Sequence, residues 1–165
     1  MNNLIINDIN VNKNKTEELY SCIIAAILNY PEQNYSVFKS FLKLADIVSQ
    51  NRLPVFSNLP VNTPIIRAEE HEIDVSVIDN NYRIVIENKI NNAGDAPHQL
   101  ARYIDGSVNG AHYSEKDVYV IYITADKKDP NRQSWIRLGD KLIATDYKDD
   151  FKERYVNITR DDIRK

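Results

Sequence analysis

At 165 residues, with 42% hydrophobic and 27% charged side chains, the chain has the length and composition of one soluble globular unit. Its net charge of −3 argues against a surface that binds nucleic acid everywhere, and its one cysteine, Cys22, excludes an intramolecular disulfide and suits a reducing compartment. No apolar run approaches the ~18 residues of a membrane span, and Met1-Asn2-Asn3-Leu4-Ile5-Ile6 lacks the basic region of a secretory leader, so a cytoplasmic location without membrane contact is expected.

The Asn-rich residues 1–14 are expected to be loose. From Thr16 to Tyr30 the sequence reads as a helix, with Thr16 as its cap and Tyr20, Ile23, Ile24, Ile27 and Leu28 as an apolar stripe. At ~100° per residue, Glu17 falls on the edge of that stripe with Ser21, Ile24 and Leu28, whereas Glu18 points away. Cys22, on the same helix, is assigned to packing. A second helix is expected over about 34–50, followed by an irregular stretch around Pro54, Pro60 and Pro64.

The segment from Glu72 to Lys89 carries the chemistry. Ile73, Val75 and Val77 alternate on one side of Asn80-Asn81, and Ile84 and Ile86 on the other, the period of half-buried strands. Asn tolerates positive φ, so Asn80-Asn81 serves as a two-residue turn. Asp79 then pairs with Tyr82, and Asp74 lies opposite Glu87. Opposed side chains sit ~5 Å apart at Cβ, and Lys89 shares the face of Glu87 because strand side chains repeat every second residue. Both acids therefore reach one ion. Hard cations such as Mg²⁺ or Mn²⁺ prefer oxygen ligands and keep several waters, so Asp74, Glu87 and the backbone carbonyl of Asn88 suffice to hold one. Such an ion activates water and stabilises charge on an attacked phosphate, while Lys89 positions that water or neutralises the transition state. Taken alone, the same face also reads as a solvated one, with surface ion pairs worth ~0–1 kcal/mol.

The next element along the chain shifts the balance. After the turn-rich Ile90 to Gly94, Asp95 suits an N-cap and Pro97 a first helical turn, so a helix is expected through Ile104. Gln99 and Tyr103 share one face of it, where Gln99 would orient water or phosphate and Tyr103 would contact a nucleic-acid backbone; the plain alternative is a helix burying Leu100, Tyr103 and Ile104. Val118–Thr124 reads as a buried strand. The polar loop beyond it holds Lys127, Lys128, Arg132 and Arg137 as candidate phosphate contacts, with Trp135 as a stacking platform; a solvated loop with one core Trp explains the same residues. Arg102, Lys39 and Lys43 are further cationic candidates. A short helix around 147–152, a strand at 155–158 and the start of a helix capped by Thr159 complete the order. His71 and His98 flank the motif without cysteine partners, which argues against zinc.

Asp74, then Glu87-Asn88-Lys89, then Gln99-Leu100-Ala101-Arg102-Tyr103 resemble the PD-(D/E)XK nuclease superfamily, in particular its RecB-like branch with a Gln-x-x-x-Tyr helix. Glu72-Ile73-Asp74, Ile86-Glu87-Asn88-Lys89-Ile90 and Gly94-Asp95 are similar to a bacterial group within it, and the likeness runs over roughly residues 70 to 104. The resemblance implies a restriction-endonuclease-like α/β core, a mixed central sheet flanked by helices, which a helix crossing between two strands also suggests. It further implies an acid on the helix before the sheet: Glu17, with Ser21 four residues later and an Ile/Ala/Leu-rich run, fits that pattern and becomes a third ligand or supporting acid. Two departures stand out: Tyr20 replaces the His usual before the helical Ser, and related chains are often longer.

The expectation is one domain over 1–165 that hydrolyses phosphodiesters with Mg²⁺ or Mn²⁺. Its substrate is nucleic acid, with DNA first, in defence, restriction or mobile-element biology, and homodimerisation is expected by analogy only. The alternatives are a non-catalytic module of the same fold that binds nucleic acid, nucleotide or protein, and a protein-interaction domain whose polar face is merely solvated.

Overall fold

The computed structural model describes residues 13–30, 33–91, 94–138 and 144–164. Its frame is a five-stranded mixed sheet in the order β1-β2-β3-β4-β7. β1 (Ile65–Glu70), β2 (Ile73–Ile78) and β3 (Arg83–Lys89) form an antiparallel meander, and β4 (Val118–Thr124) and β7 (Tyr155–Thr159) add in parallel. Parallel pairing of β3 with β4 needs a crossover, and α3 (Gln99–Asp105) supplies it. Two short strands, β5 (Ile136–Leu138) and β6 (Ala144–Asp146), pair apart from this sheet.

Both faces of the sheet are covered, as a partly parallel sheet requires. On one face α1 (Lys13–Leu28) and α2 (Ser36–Ser49) lay Ala25, Leu28, Phe38, Leu42 and Ala45 onto Val75, Val77, Ile84, Ile86, Ile121 and Ile123. On the other, Leu100, Ala101, Tyr103 and Ile104 of α3 pack with Trp135, Tyr147 and Phe151 against Val85, Val118 and Val120. All residues of the central β3 are buried, so this strand is not half-buried as its alternation suggested. Glu87, Asn88 and Lys89 thus lie in the interior, where a charge persists only with partners.

Several expectations need correction. α1 starts at Lys13, so Thr16 lies inside the helix rather than capping it; Lys13 and Asn14 are helical, and the rest of the segment expected to be loose lies outside the described residues. Its inward face is Ser21, Ile24, Ala25 and Leu28, whereas Tyr20, Ile23, Ile27 and also Cys22 face out. Apolar residues surround much of this helix, so periodicity alone did not single out the side that meets β1. β1 occupies part of the stretch read as irregular: as an edge strand it buries Ile66 but exposes Ile65, Arg67 and Glu69, and its alternation is faint. Asn80-Asn81 does form the loop of the β2–β3 hairpin, yet neither residue has positive φ; Asp79 organises it, accepting the Asn80 N–H (2.7 Å). The left-handed pair is His71-Glu72 instead, with φ of 54° and 66° in the two-residue β1–β2 turn. α3 starts at Gln99, not at an Asp95 cap, because Asp95 is engaged elsewhere: it accepts from Tyr122 Oη (2.5 Å) and Asn131 N–H (2.7 Å). α4 (Tyr147–Asp150), β7 and α5 (Arg160–Ile163) fall where expected, and Thr159 caps α5 in a reciprocal box with Asp162. Among the described residues no helix is long and apolar enough to cross a membrane.

Candidate active site

The β2–β3 register, with Val75 opposite Ile86 and Val77 opposite Ile84, continues to set Asp74 across from Glu87. A hydrogen bond fixes the pair at this end: Asn88 N–H donates to Asp74 Oδ2 at 2.7 Å. Glu87 is 1% exposed, and its Oε1 accepts from Lys89 Nζ at 2.6 Å and from Gln99 Nε2 at 2.7 Å. Lys89 and Gln99 reach the same oxygen because strand periodicity puts Lys89 on the face of Glu87, and the crossover lays the first turn of α3 on that face. Gln99 is itself held: its Oε1 accepts the Ala96 N–H (3.2 Å), and its Nε2 also reaches Tyr103 Oη (2.9 Å). Tyr103 Oη in turn donates to the Glu72 carbonyl (2.5 Å) in the left-handed turn. A continuous chain therefore runs from the β1–β2 turn to the Glu87 carboxylate.

The electrostatics are dominated by crowded acids in a dry place. Burial, then repulsion from Asp74, pushes the Glu87 carboxyl well above the usual carboxylate range. Burial also raises Asp74, with further pressure from Glu69 and Glu17, against the Asn88 N–H and the Lys89 charge. For Lys89, burial opposes the charge, but the attraction of Glu87, Asp74 and Glu17 outweighs it and the pKa is raised. Lys89 is therefore a persistent ammonium. Glu17 of α1 is half-buried, and its Oε1 has no hydrogen-bond partner; Glu18 is exposed.

Glu69 was not anticipated. It lies between Ala68, which pairs with Val75, and Glu70, which pairs with Ile73, and has φ of 53°; although the residue is exposed, partial desolvation of its carboxyl, with the nearby charges of Glu18 and Glu17, raises its pKa. The Glu69-Glu70 run just before Glu72-Ile73-Asp74 is its trace in the sequence, masked by the faint alternation of β1. Glu87 Oε2 and Glu17 Oε1 are both buried without a hydrogen bond, an arrangement that fits a hard cation. Among the described residues no group of three or more His, Cys, Asp or Glu side chains forms a ready cage, so the donor set suits an ion that keeps water ligands rather than one fully enclosed by protein.

The family model of the PD-(D/E)XK nuclease superfamily matches residues 7–165. The chain belongs to that superfamily. No curated protein and no solved structure matches it. The mixed sheet with helices on both faces is the restriction-endonuclease-like core.

The cationic candidates are spread over several elements. Arg102 pairs with Glu72 (3.2 Å), Arg132 with Asp146 (3.0 Å) and Arg137 with Asp105 (3.1 Å). Lys127 and Lys128 are exposed just beyond β4, whose last residue, Thr124, lies beside Lys89 in the register. Lys39 and Lys43 are on α2, across the sheet from α3. Trp135 is 1% exposed and packs edge-on against Tyr155, so it is core and not a stacking platform. Tyr103 is likewise buried with its hydroxyl engaged by Gln99 and the Glu72 carbonyl, so it is core and not presented to a nucleic-acid backbone. His98 Nδ1 lies 2.5 Å from the Ile136 carbonyl and ties α3 to β5.

Proposed function

We propose that the chain is a single-domain, divalent-metal-dependent nuclease that hydrolyses phosphodiester bonds, with DNA the first substrate to test. The observation that carries this reading is a buried Glu87 carboxylate that already holds Lys89 and Gln99 on one oxygen while its other oxygen has no partner beside Asp74. A retired site has no physical reason to keep like charges crowded in a desolvated place.

Asp74, Glu87 and the Asn88 carbonyl would hold Mg²⁺ or Mn²⁺, with Glu17 as a further acid. When bound, the ion supplies a nucleophilic water of lowered pKa and stabilises charge on the phosphate. Lys89, held as an ammonium, orients water and neutralises the developing phosphoryl charge; it is not the general base, since its pKa is raised. Gln99 holds Glu87 in place, and Tyr103 holds Gln99. The Gln99–Tyr103 pairing supports the RecB-like branch. Lys127, Lys128, Arg102 and Arg132 are candidate strand contacts, and the first two suit that role best because both are exposed, whereas Arg102 and Arg132 are each paired with an acid. A cytoplasmic enzyme of defence, restriction or mobile-element biology, active as a monomer or a homodimer, is the setting this reading favours.

The test is cleavage of a panel of single- and double-stranded DNA and RNA with Mg²⁺, then Mn²⁺, by the wild type and by Glu87→Ala and Lys89→Ala. Loss of about 10²–10³-fold in each variant is expected, the scale on which removing one stabilising group acts. An inert wild type whose calorimetric metal binding does not depend on Asp74 would instead make it a non-catalytic binding module.

A further inference from the structure

Beside the catalytic centre, on the same face of the sheet, lies a second feature with a chemistry of its own. Arg83 opens β3, four residues before Glu87, which puts it roughly 13 Å away along the strand. It is 4% exposed, and its Nε has no hydrogen-bond partner. Its ion-pair partner is Glu70, whose Oε2 lies 3.6 Å from Arg83 Nη2 without a hydrogen bond, while Glu70 Oε1 pairs with Arg67 at 2.6 Å. Arg83 lines a cavity of about 430 Å³ together with His71, Glu72, Arg102, Gly106 and Gly110. A buried guanidinium left short of acceptors at the wall of a cavity is costly unless an anion enters.

The other walls are unusual in the same sense. His71 and Glu72 form the left-handed turn, a conformation that non-glycine residues adopt only at a cost. Gly106–Gly110 continue α3 as a π-turn, a form that concentrates at functional sites. Gly106 has ordinary helical angles (φ −61°, ψ −35°), and a Cβ at Gly106 or Gly110 would meet nothing within 4 Å. Neither conformation nor packing requires glycine there; what it preserves is open space. Among the lining residues Arg83 and Arg102 outnumber Glu72, so the wall is net positive, and the half-exposed Arg102–Glu72 pair is weak enough to yield Arg102 to a better partner.

We propose that this cavity is a phosphate subsite: Arg83, with Arg102 at the mouth, receives a phosphate of the nucleic-acid strand a short distance from the bond that is cut. The assignment rests on the nuclease reading for the identity of the strand. The phosphate is either a 5′-terminal monoester or an internal diester, which share the chemistry a buried guanidinium selects, and the cavity size suits one unpaired nucleotide rather than a duplex.

The experiment measures binding of a ten-nucleotide single-stranded DNA, with and without a 5′-phosphate, in Ca²⁺ at several NaCl concentrations, with the DNA checked for integrity. Arg83→Gln and Gly106→Leu should each weaken binding about tenfold and lower the slope of log K against log[salt] by about 0.7, the signature of one lost phosphate contact on a single strand. A loss confined to the 5′-phosphorylated DNA identifies the terminal monoester; an equal loss on both identifies an internal phosphate. Circular dichroism verifies folding, and if Arg83→Gln fails to fold, Gly106→Leu, at an exposed helical glycine, carries the test. A folded Gly106→Leu that binds both DNAs like the wild type, with the same slope, overturns the subsite, as does a wild type that binds neither. Failure of the nuclease reading looks different: no cleavage of any substrate in Mg²⁺ or Mn²⁺, with the salt slope still sensitive to both substitutions.

Discussion

Gln99 shows how one amide can hold a buried carboxylate in register. Its Nε2 lies within hydrogen-bonding distance of both Glu87 Oε1 and Tyr103 Oη, while its carbonyl oxygen is tied to the Ala96 N–H. Fixed at both ends, the side chain has one way to meet Glu87. Gln99→Ala should leave the Lys89–Glu87 pair standing but release Glu87 to rotate, lowering metal affinity or turnover by about 10–100-fold, as loss of a group that orients a metal ligand typically does. Titration calorimetry with Mg²⁺ beside cleavage rates would check it, and unchanged values in both would remove Gln99 from the site. Asp74, Glu87, Lys89 and Gln99 were legible, because they follow from strand and helix periods over short chain distances. Glu69 and Arg83 were not, because each gains its meaning from a neighbour met only in the folded sheet.

At the scale of elements, the hairpin register could be derived and the helix faces could not. Register follows from loop length, so a two-residue loop at Asn80-Asn81 is enough to align Asp74 with Glu87, even though the turn uses Asp79 rather than positive φ. Which side of α1 faces inward depends on β1, an edge strand whose own pattern is faint. Asp46 organises the first part of the loop after α2. It accepts the N–H groups of Val55 and Phe56 on Oδ1 and that of Ser57 on Oδ2, all at 2.8 Å; burial works against its charge, but the Ser57 side chain and these backbone bonds together hold its carboxyl below the usual range. Asp46→Ala should cost about 2 kcal/mol, since three backbone donors lose their acceptor but can turn partly to water. Because the folded pKa is depressed, this contribution is present above the ordinary pKa of an aspartate and fades as pH falls through the folded value. Urea unfolding of both proteins at pH 7 would measure it, and a difference below about 0.5 kcal/mol would show that the loop is held by other contacts.

For the whole molecule, the acidic centre couples stability to pH and to metal. Burial raises Asp74 to about 6 and Glu87 to about 8, above their unfolded values. Between the unfolded and folded pKa values the folded chain binds protons that the unfolded chain does not. The metal-free protein therefore loses stability as pH rises from about 4 to about 8, most steeply below about 6 where both groups hold extra protons, the reverse of a carboxylate stabilised by salt bridges. The Tm in EDTA should fall by roughly 3–8 °C from pH 5.5 to pH 8.5, and millimolar Mg²⁺ should recover most of that loss by binding only the folded form. Scanning calorimetry at these pH values decides it; a Tm in EDTA that is flat or rising would show that Lys89 alone neutralises the site.

The chemistry-bearing set and its order along the chain were determined by the sequence itself: Asp74, Glu87, Asn88, Lys89 and Gln99 lie within two strands and one helix, where periods of 2 and 3.6 residues place side chains without reference to the rest of the fold. The tertiary structure alone decided how those residues are held. It buried β3 on both faces by laying α1 and α2 on one side and α3 with Trp135 on the other, turned Tyr103 and Trp135 into core, and brought Glu17 and Glu69 to the same acidic end. These outcomes depend on contacts between segments far apart in the chain, and local periodicity carries no information about which distant surface a face will meet.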